Sequence, residues 1–169
     1  MNKINLIVAV LCLAAGLLGG LFLVTLQKHN REKSRIERFP KFEAMSLAGE
    51  KYFSSDDPPA RRTAILFFSP ACDYCRTELE NIVRRGNKWD GVKWLFVTIS
   101  DRESVQNFVM DCPIDAIPNA QVLLDEDGSV VSHFQVTAPP VLHVYDENLC
   151  LIHSGKGATS ISVITDWLQ

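Results

Sequence analysis

The chain has 169 residues, 47% of them apolar and 22% charged, and a formal net charge of −3. That composition is globular, with room for one domain plus an appendage. The charge is uneven: residues 1–40 carry six Lys/Arg against two Asp/Glu, and residues 41–169 carry eleven against eighteen, so the acidic main part gives no reason to expect nucleic-acid binding.

At the N-terminus, Ile4 to Leu26 reads "INLIVAVLCLAAGLLGGLFLVTL" without a charge. As a helix this run reaches roughly 35 Å, enough to cross a hydrocarbon layer of about 30 Å with some tilt. A cleaved signal peptide is the competing reading. The run is longer than the usual apolar core of such a peptide, about 7 to 15 residues, and no A-x-A site follows it. Nor does Cys12 look like a lipid attachment point, because Ala9-Val10-Leu11 places no small residue next to it. The expected organisation is a transmembrane anchor over 1–27, a basic linker over 28–40 and a domain over 41–169. Lysine and arginine after the span outnumber those before it, which by the positive-inside rule keeps the domain in the cytoplasm. The chemistry below argues the opposite orientation, and that is the one expected here.

In the domain, "FEAMSLAGEKYF" reads as a hairpin turning at Ala48-Gly49, and "SSDDPPARR" as a loop. "TAILFFS", Thr63 to Ser69, is a continuous apolar run suited to a strand buried on both faces. The period then changes: Cys75, Leu79, Ile82 and Val83 share a helical face, and Arg84-Arg85-Gly86 supplies a basic last turn and a glycine stop. "VKWLFVTIS" is a second buried strand, and "SDRESVQNFVMD" a helix opened by Ser100 and Glu103 in capping-box register. "QVLL" is a third strand, ended by Asp127-Gly128, and "SVVSHF" a short helix. "VLHVYD" and "LCLIHS" form a hairpin around Glu147-Asn148, and Ile161, Ile164 and Leu168 mark a closing amphipathic helix. The fold class is α/β, a mixed sheet covered by helices on both faces.

"FFSPACDYC" places Cys72 where a strand ends and a helix begins, with Cys75 one turn further on. Cysteines three apart on a helix are neighbours and can close a disulfide with little adjustment. The helix N-terminus favours a thiolate at Cys72, making it the nucleophile, while Cys75 on the apolar face becomes the resolving thiol. Asp73 opposes the thiolate and Arg76 supports it. Two other readings compete. A zinc or copper site needs further ligands, and His29, His133, His143 and His153 lack the spacing of a second ligand pair. Two coincidental buried thiols is the bland alternative.

These segments together, "FEAMSLAGEKYF", "TAILFFSPACDYC" and "VLLDEDGSVVSHFQVTAPPVLHVYDENLCLIHSGKG", resemble the thioredoxin-like redoxins, in particular the membrane-anchored thiol-disulfide proteins of the bacterial cell envelope. "LFFSPACDYC" behind a span and basic stalk is most similar to the accessory proteins of methylamine dehydrogenase maturation. The resemblance implies a thioredoxin-like sheet and thiol-disulfide oxidoreductase activity. It implies catalytic roles for Cys72 and Cys75, and for Pro140 as a cis-proline lying against them and offering backbone groups to a substrate segment. The implied cofactor is none beyond the Cys72-Cys75 disulfide, with no metal. The implied partners are thiols and disulfides of envelope proteins, at the inner membrane with the domain facing the periplasm. Two positions depart from the family: Ala71 replaces a tryptophan, and Leu66 replaces a buried acid, which leaves Cys75 without a recognisable internal proton acceptor.

A copper- or zinc-carrying metallochaperone and a peroxiredoxin-like peroxidase are the alternatives in function. Ser69, three before Cys72, suits the peroxidase, but Ile65 stands where its proline belongs. Cys112 and Cys150 are either a second, structural disulfide or two separate buried thiols. Trp89, Trp94 and Trp167 read as packing residues.

Overall fold

The computed structural model describes residues 12–13, 16–25, 35–58 and 60–169. The chain divides into two compact units, Met1–Arg35 and Ile36–Gln169. In the first, residues 16–25 are helical and exposed throughout, with Leu17, Leu18, Leu21, Phe22, Leu23 and Val24 each more than 60% accessible. Among the described residues no helix is long and apolar enough to cross a membrane. Most of the span expected over Ile4–Leu26 and of the basic linker after it lies outside the described residues.

The second unit is built on strands β1 (Glu43–Ser46), β2 (Lys51–Phe53), β3 (Arg62–Phe67), β4 (Val92–Thr98), β5 (Ala120–Leu124), β6 (Val141–Tyr145) and β7 (Leu151–Lys156). Among the described residues they form one sheet in the order β2-β1-β5-β4-β3-β6-β7. The central strands β5, β4 and β3 are parallel, and the outer ones pair antiparallel. Helices α1 (Asp73–Val83), α2 (Arg102–Asp111), α3 (Ser129–His133) and α4 (Ile161–Leu168) connect and cover them.

Strand alternation sorts the core into two layers. Ala64 and Leu66 of β3, with Trp94 and Phe96 of β4, pack against Cys75, Leu79 and Ile82 of α1, Val105 and Phe108 of α2, and Ile164 and Leu168 of α4. Ile65, Phe67, Leu95 and Val97 face the other way, onto Val130 of α3, Phe134 and Tyr52. This is why residues 64–67 of β3 and 94–97 of β4 read as unbroken apolar runs: both faces are buried.

The second unit starts at Ile36, five residues ahead of the domain expected over 41–169, and two local expectations about helix ends are corrected. Glu37 C=O accepts from Leu151 N–H at 2.8 Å, Phe39 N–H donates to Leu149 C=O at 2.8 Å, and the Phe39 ring meets Tyr145 edge-on at 5.0 Å. A segment that reads as a charged stalk is therefore pinned by its two apolar residues, Ile36 and Phe39. The cap of α2 is Asp101, not Ser100: its carboxylate accepts from Ser104 N–H at 2.9 Å and Ser104 hydroxyl at 2.7 Å. At the end of α1, Gly86 is not a left-handed stop. It starts a 3₁₀ turn, and a Cβ there would come within 3.1 Å of the Ala116 carbonyl oxygen, so close approach explains the glycine.

Candidate active site

Strand β3 runs into Phe68, Ser69, Pro70 and Ala71, and this loop delivers Cys72 as the N-cap of α1 in extended conformation. The Cys72 N–H donates to Ser69 C=O at 3.1 Å, which fixes the turn. The Cys75 N–H, in the first turn of α1, donates to Cys72 Sγ at 3.2 Å. The helix thus aims one of its otherwise unpaired donors at the sulfur.

Cys72 is half-buried and Cys75 wholly buried, and both are free thiols. Burial, then the adjacent Cys72, pushes the Cys75 thiol up to about 12, the nearby Glu78 charge adding to the effect while the Ser69 backbone works against it. The two side chains share one side of the first turn, one reachable and one sealed.

The third component comes from far along the chain. The Pro139–Pro140 bond is cis, and the Pro139 carbonyl oxygen lies 3.8 Å from Cys72 Sγ. Pro140 is buried behind it, its carbonyl accepting from Gly157 N–H at 2.8 Å. The fold therefore brings Cys72, Cys75 and Pro140 together, with Pro139 making the direct approach to the sulfur.

Glu78 is the residue that sequence reasoning missed. Leu66, where the family acid was sought, is wholly buried in the core. Glu78 sits one helical turn beyond Cys75 on the buried stripe of α1 and is only 3% exposed. Among the described residues neither of its carboxylate oxygens has a hydrogen-bond partner. Burial pushes its carboxyl up to about 7; the Thr159 backbone works in the opposite direction without reaching hydrogen-bond geometry. A buried carboxyl that ionises near neutral pH thus lies one turn from Cys75, on the helix rather than on the strand. Its signal in the sequence is an acid three residues after Cys75, between Cys75 and Leu79 on an otherwise apolar stripe.

Other candidates lie elsewhere. Arg76, expected to support the Cys72 thiolate, pairs with Asp111 at 3.7 Å and stacks over Phe108 at 4.8 Å. His143 is buried between Phe67 and Phe134, and His153 stacks on Trp167 at 5.1 Å. Among the described residues no group of three or more His, Cys, Asp or Glu is arranged to hold a metal ion. Cys112 is buried in the helical layer and Cys150 is half-buried at the β6–β7 turn; both are free.

The fold has close counterparts among solved structures. It is similar to MTB dsbF in its mixed oxidized and reduced forms (21% identity, TM-score 0.68, covering 79% of this chain and 94% of that one). A secreted Mycobacterium tuberculosis disulfide oxidoreductase homologous to E. coli DsbE is similar too, at 18% identity and TM-score 0.65 over 80% of this chain and 96% of that one. So is a thiol:disulfide interchange protein of the thioredoxin family from Chlorobium tepidum, at 17% identity and TM-score 0.66 over 78% and 92%. No curated protein matches the chain. These likenesses establish a thioredoxin-like fold. The model of the AhpC/TSA family matches residues 36–154, a stretch that starts where the compact unit starts, and the chain belongs to that family of thioredoxin-like redoxins.

Proposed function

We propose that the chain is a membrane-tethered thiol-disulfide oxidoreductase of a bacterial cell envelope, exchanging disulfides with protein clients through Cys72 and Cys75. The observation that carries this reading is the pair itself: a half-buried sulfur at a helix N-cap, beside the Pro139 carbonyl, with a sealed thiol one turn below it.

In the reductive direction, Cys72 Sγ attacks a client disulfide; one client sulfur bonds to Cys72 and the other leaves as a thiolate. Glu78 accepts the Cys75 proton, and the Cys75 sulfur then attacks Cys72 Sγ. The Cys72-Cys75 disulfide forms, the mixed disulfide breaks, and the second client sulfur leaves with its electron pair. In the oxidative direction the same bonds are exchanged in reverse, with Glu78 returning the proton to Cys75. Glu78 is suited to both roles because its ionisation lies near neutral pH.

The tether is supported by the exposed leucine, phenylalanine and valine side chains of residues 16–25, which an aqueous environment leaves unfavourably solvated. Maturation of a cofactor-bearing enzyme, as for the methylamine dehydrogenase accessory proteins, is the client process we assign. The test is a trap. Cys75→Ala leaves the mixed disulfide unresolved, so envelope extracts should yield clients bonded to Cys72. Absence of any such adduct, or peroxide consumption with sulfenic acid at Cys72, contradicts the reading.

A further inference from the structure

The sheet face that carries Phe67, Leu95, Val97 and Leu123 is apolar near the dithiol and changes character toward its other end. By strand alternation Lys93 continues the row of Leu95 and Val97, and Gln121 that of Leu123. Lys93 pairs with Thr63, four residues before Phe67, so this region lies about 13 Å along the strands from the end that delivers Cys72. An open cavity of about 490 Å³ is lined there by Lys93, Asn119 and Gln121 of the sheet and by Asp56, Asp57 and Arg61 of the loop before β3. Lys93 is the unusual member. Its side chain is only 9% exposed, and its ammonium pairs with Asp57, whose carboxylate also accepts from the Tyr52 hydroxyl. The Tyr52 ring lies 5.6 Å from the ammonium. Arg61 is occupied as well: its guanidinium donates to the Gln169 C=O at 2.6 Å and the Asp90 C=O at 3.4 Å. Asp56 accepts from the Ser55 hydroxyl at 3.1 Å, and Asn119 and Gln121 are exposed. Two acids and two bases cancel, so the lining offers donors and acceptors without net charge.

We propose that this cavity, remote from the dithiol, binds a neutral polyhydroxylated ligand of the size of a sugar ring. A hydroxyl both donates and accepts, so neighbouring hydroxyls satisfy the amides, the carboxylate and the ammonium together. A phosphate or carboxylate only accepts, and it meets the like charge of Asp56. An ammonium only donates, and it meets the like charge of Lys93. The planar ends of Asp56, Asn119 and Gln121 each present two hydrogen-bonding atoms side by side, which suits a pair of adjacent hydroxyls. Pro58, Ala60 and Ala120 give the C–H face of a sugar ring an apolar surface to pack on. The Lys93–Asp57 pair holds the loop against the sheet and so fixes the distance between the two sides of the cavity.

The experiment uses the full-length protein in lauryldimethylamine oxide, a detergent without a sugar headgroup, and saturation-transfer NMR observed on the ligand. Glucose, maltose and N-acetylglucosamine are the probes, with inorganic phosphate and trialanine as competitors. At least one sugar should receive saturation at its ring protons and keep it in an excess of either competitor. Gln121→Ala should weaken that sugar by about fivefold in titration, and so should Asn119→Gly, a change that suits the backbone φ of 57° at this position. Both variants should exchange disulfides at Cys72 at the unaltered rate. No transfer to any sugar, displacement by phosphate or trialanine, or binding that survives both substitutions would overturn the site. Those results leave the exchange reading standing, because Cys72 and Cys75 are not among the lining residues.

Discussion

Glu78 and Cys75 are buried one turn apart on α1; the Glu78 charge makes the Cys75 thiol harder to ionise, while burial raises the Glu78 carboxyl. The resolving step should therefore switch on as pH rises through about 7, where Glu78 becomes a base. Glu78→Gln should remove that inflection and slow resolution at neutral pH by roughly 10²-fold, as read by stopped-flow decay of a preformed mixed disulfide. The same acid sets a stability trend. Its folded ionisation lies above the ordinary 4.5, so the native state holds the proton longer than the unfolded one, and stability falls as pH rises between 4.5 and about 7. Chemical denaturation of Glu78→Gln should show that loss, roughly 3 kcal/mol, abolished. His143 behaves in the opposite sense. Burial, aided by the Lys156 charge, lowers it to about 4, and neither ring nitrogen has a partner among the described residues. The unfolded chain takes up that proton first, so stability is lost as pH falls from 6.5 toward 4. His143→Phe should flatten the acid limb of the denaturation profile.

Among residues, the dithiol was the most legible feature, because two cysteines at helical spacing after a buried strand leave few other uses. Glu78 was not legible, since an acid on a helix ordinarily marks the solvent face and only packing shows it turned inward. The direct approach of the Pro139 carbonyl to Cys72 was not legible for a different reason. The contact spans 67 residues, and no local pattern encodes it.

Elements were readable from their periods, and their ends were not. Ser100 and Asp101 are both good N-caps, and the choice between them fell to the one whose carboxylate reaches Ser104 N–H. Helix α3 shows the same logic in a stronger form. Five residues cannot hold a helix alone, so its N-terminus is tied down by Asp125, a buried acid four residues before it begins. Asp125→Ala should lower stability by roughly 1–3 kcal/mol, since one buried and one half-buried N–H group lose their acceptor. Hydrogen exchange should rise first across residues 129–136. Uniform exchange across the sheet would show instead that α3 has no separate dependence on Asp125.

At the scale of the molecule, the sheet has two ends with different duties. Phe67 pairs with Val141, so Cys72 and Pro140 meet at the end where β3 finishes and β6 starts. Glu37 and Phe39 fasten to Leu149 and Leu151 at the opposite end of the β6–β7 hairpin. The chain thus enters this unit about one strand length, roughly 20 Å, from the dithiol. Removing Ile36–Pro40 should destabilise the unit, and Phe39→Ala alone should cost about 2 kcal/mol in urea denaturation, because its ring contacts Phe42, Phe134 and Tyr145.

Disulfide exchange requires Cys72 and Cys75 to act as one couple, and a redox titration of the full-length protein tests that most directly. Equilibrated across a series of glutathione buffers and then alkylated with a mass-tagged thiol reagent, the two cysteines should lose accessibility together, in a single two-electron transition that Cys75→Ala abolishes. Cys72 oxidising alone, or both remaining alkylatable at every potential, would contradict it.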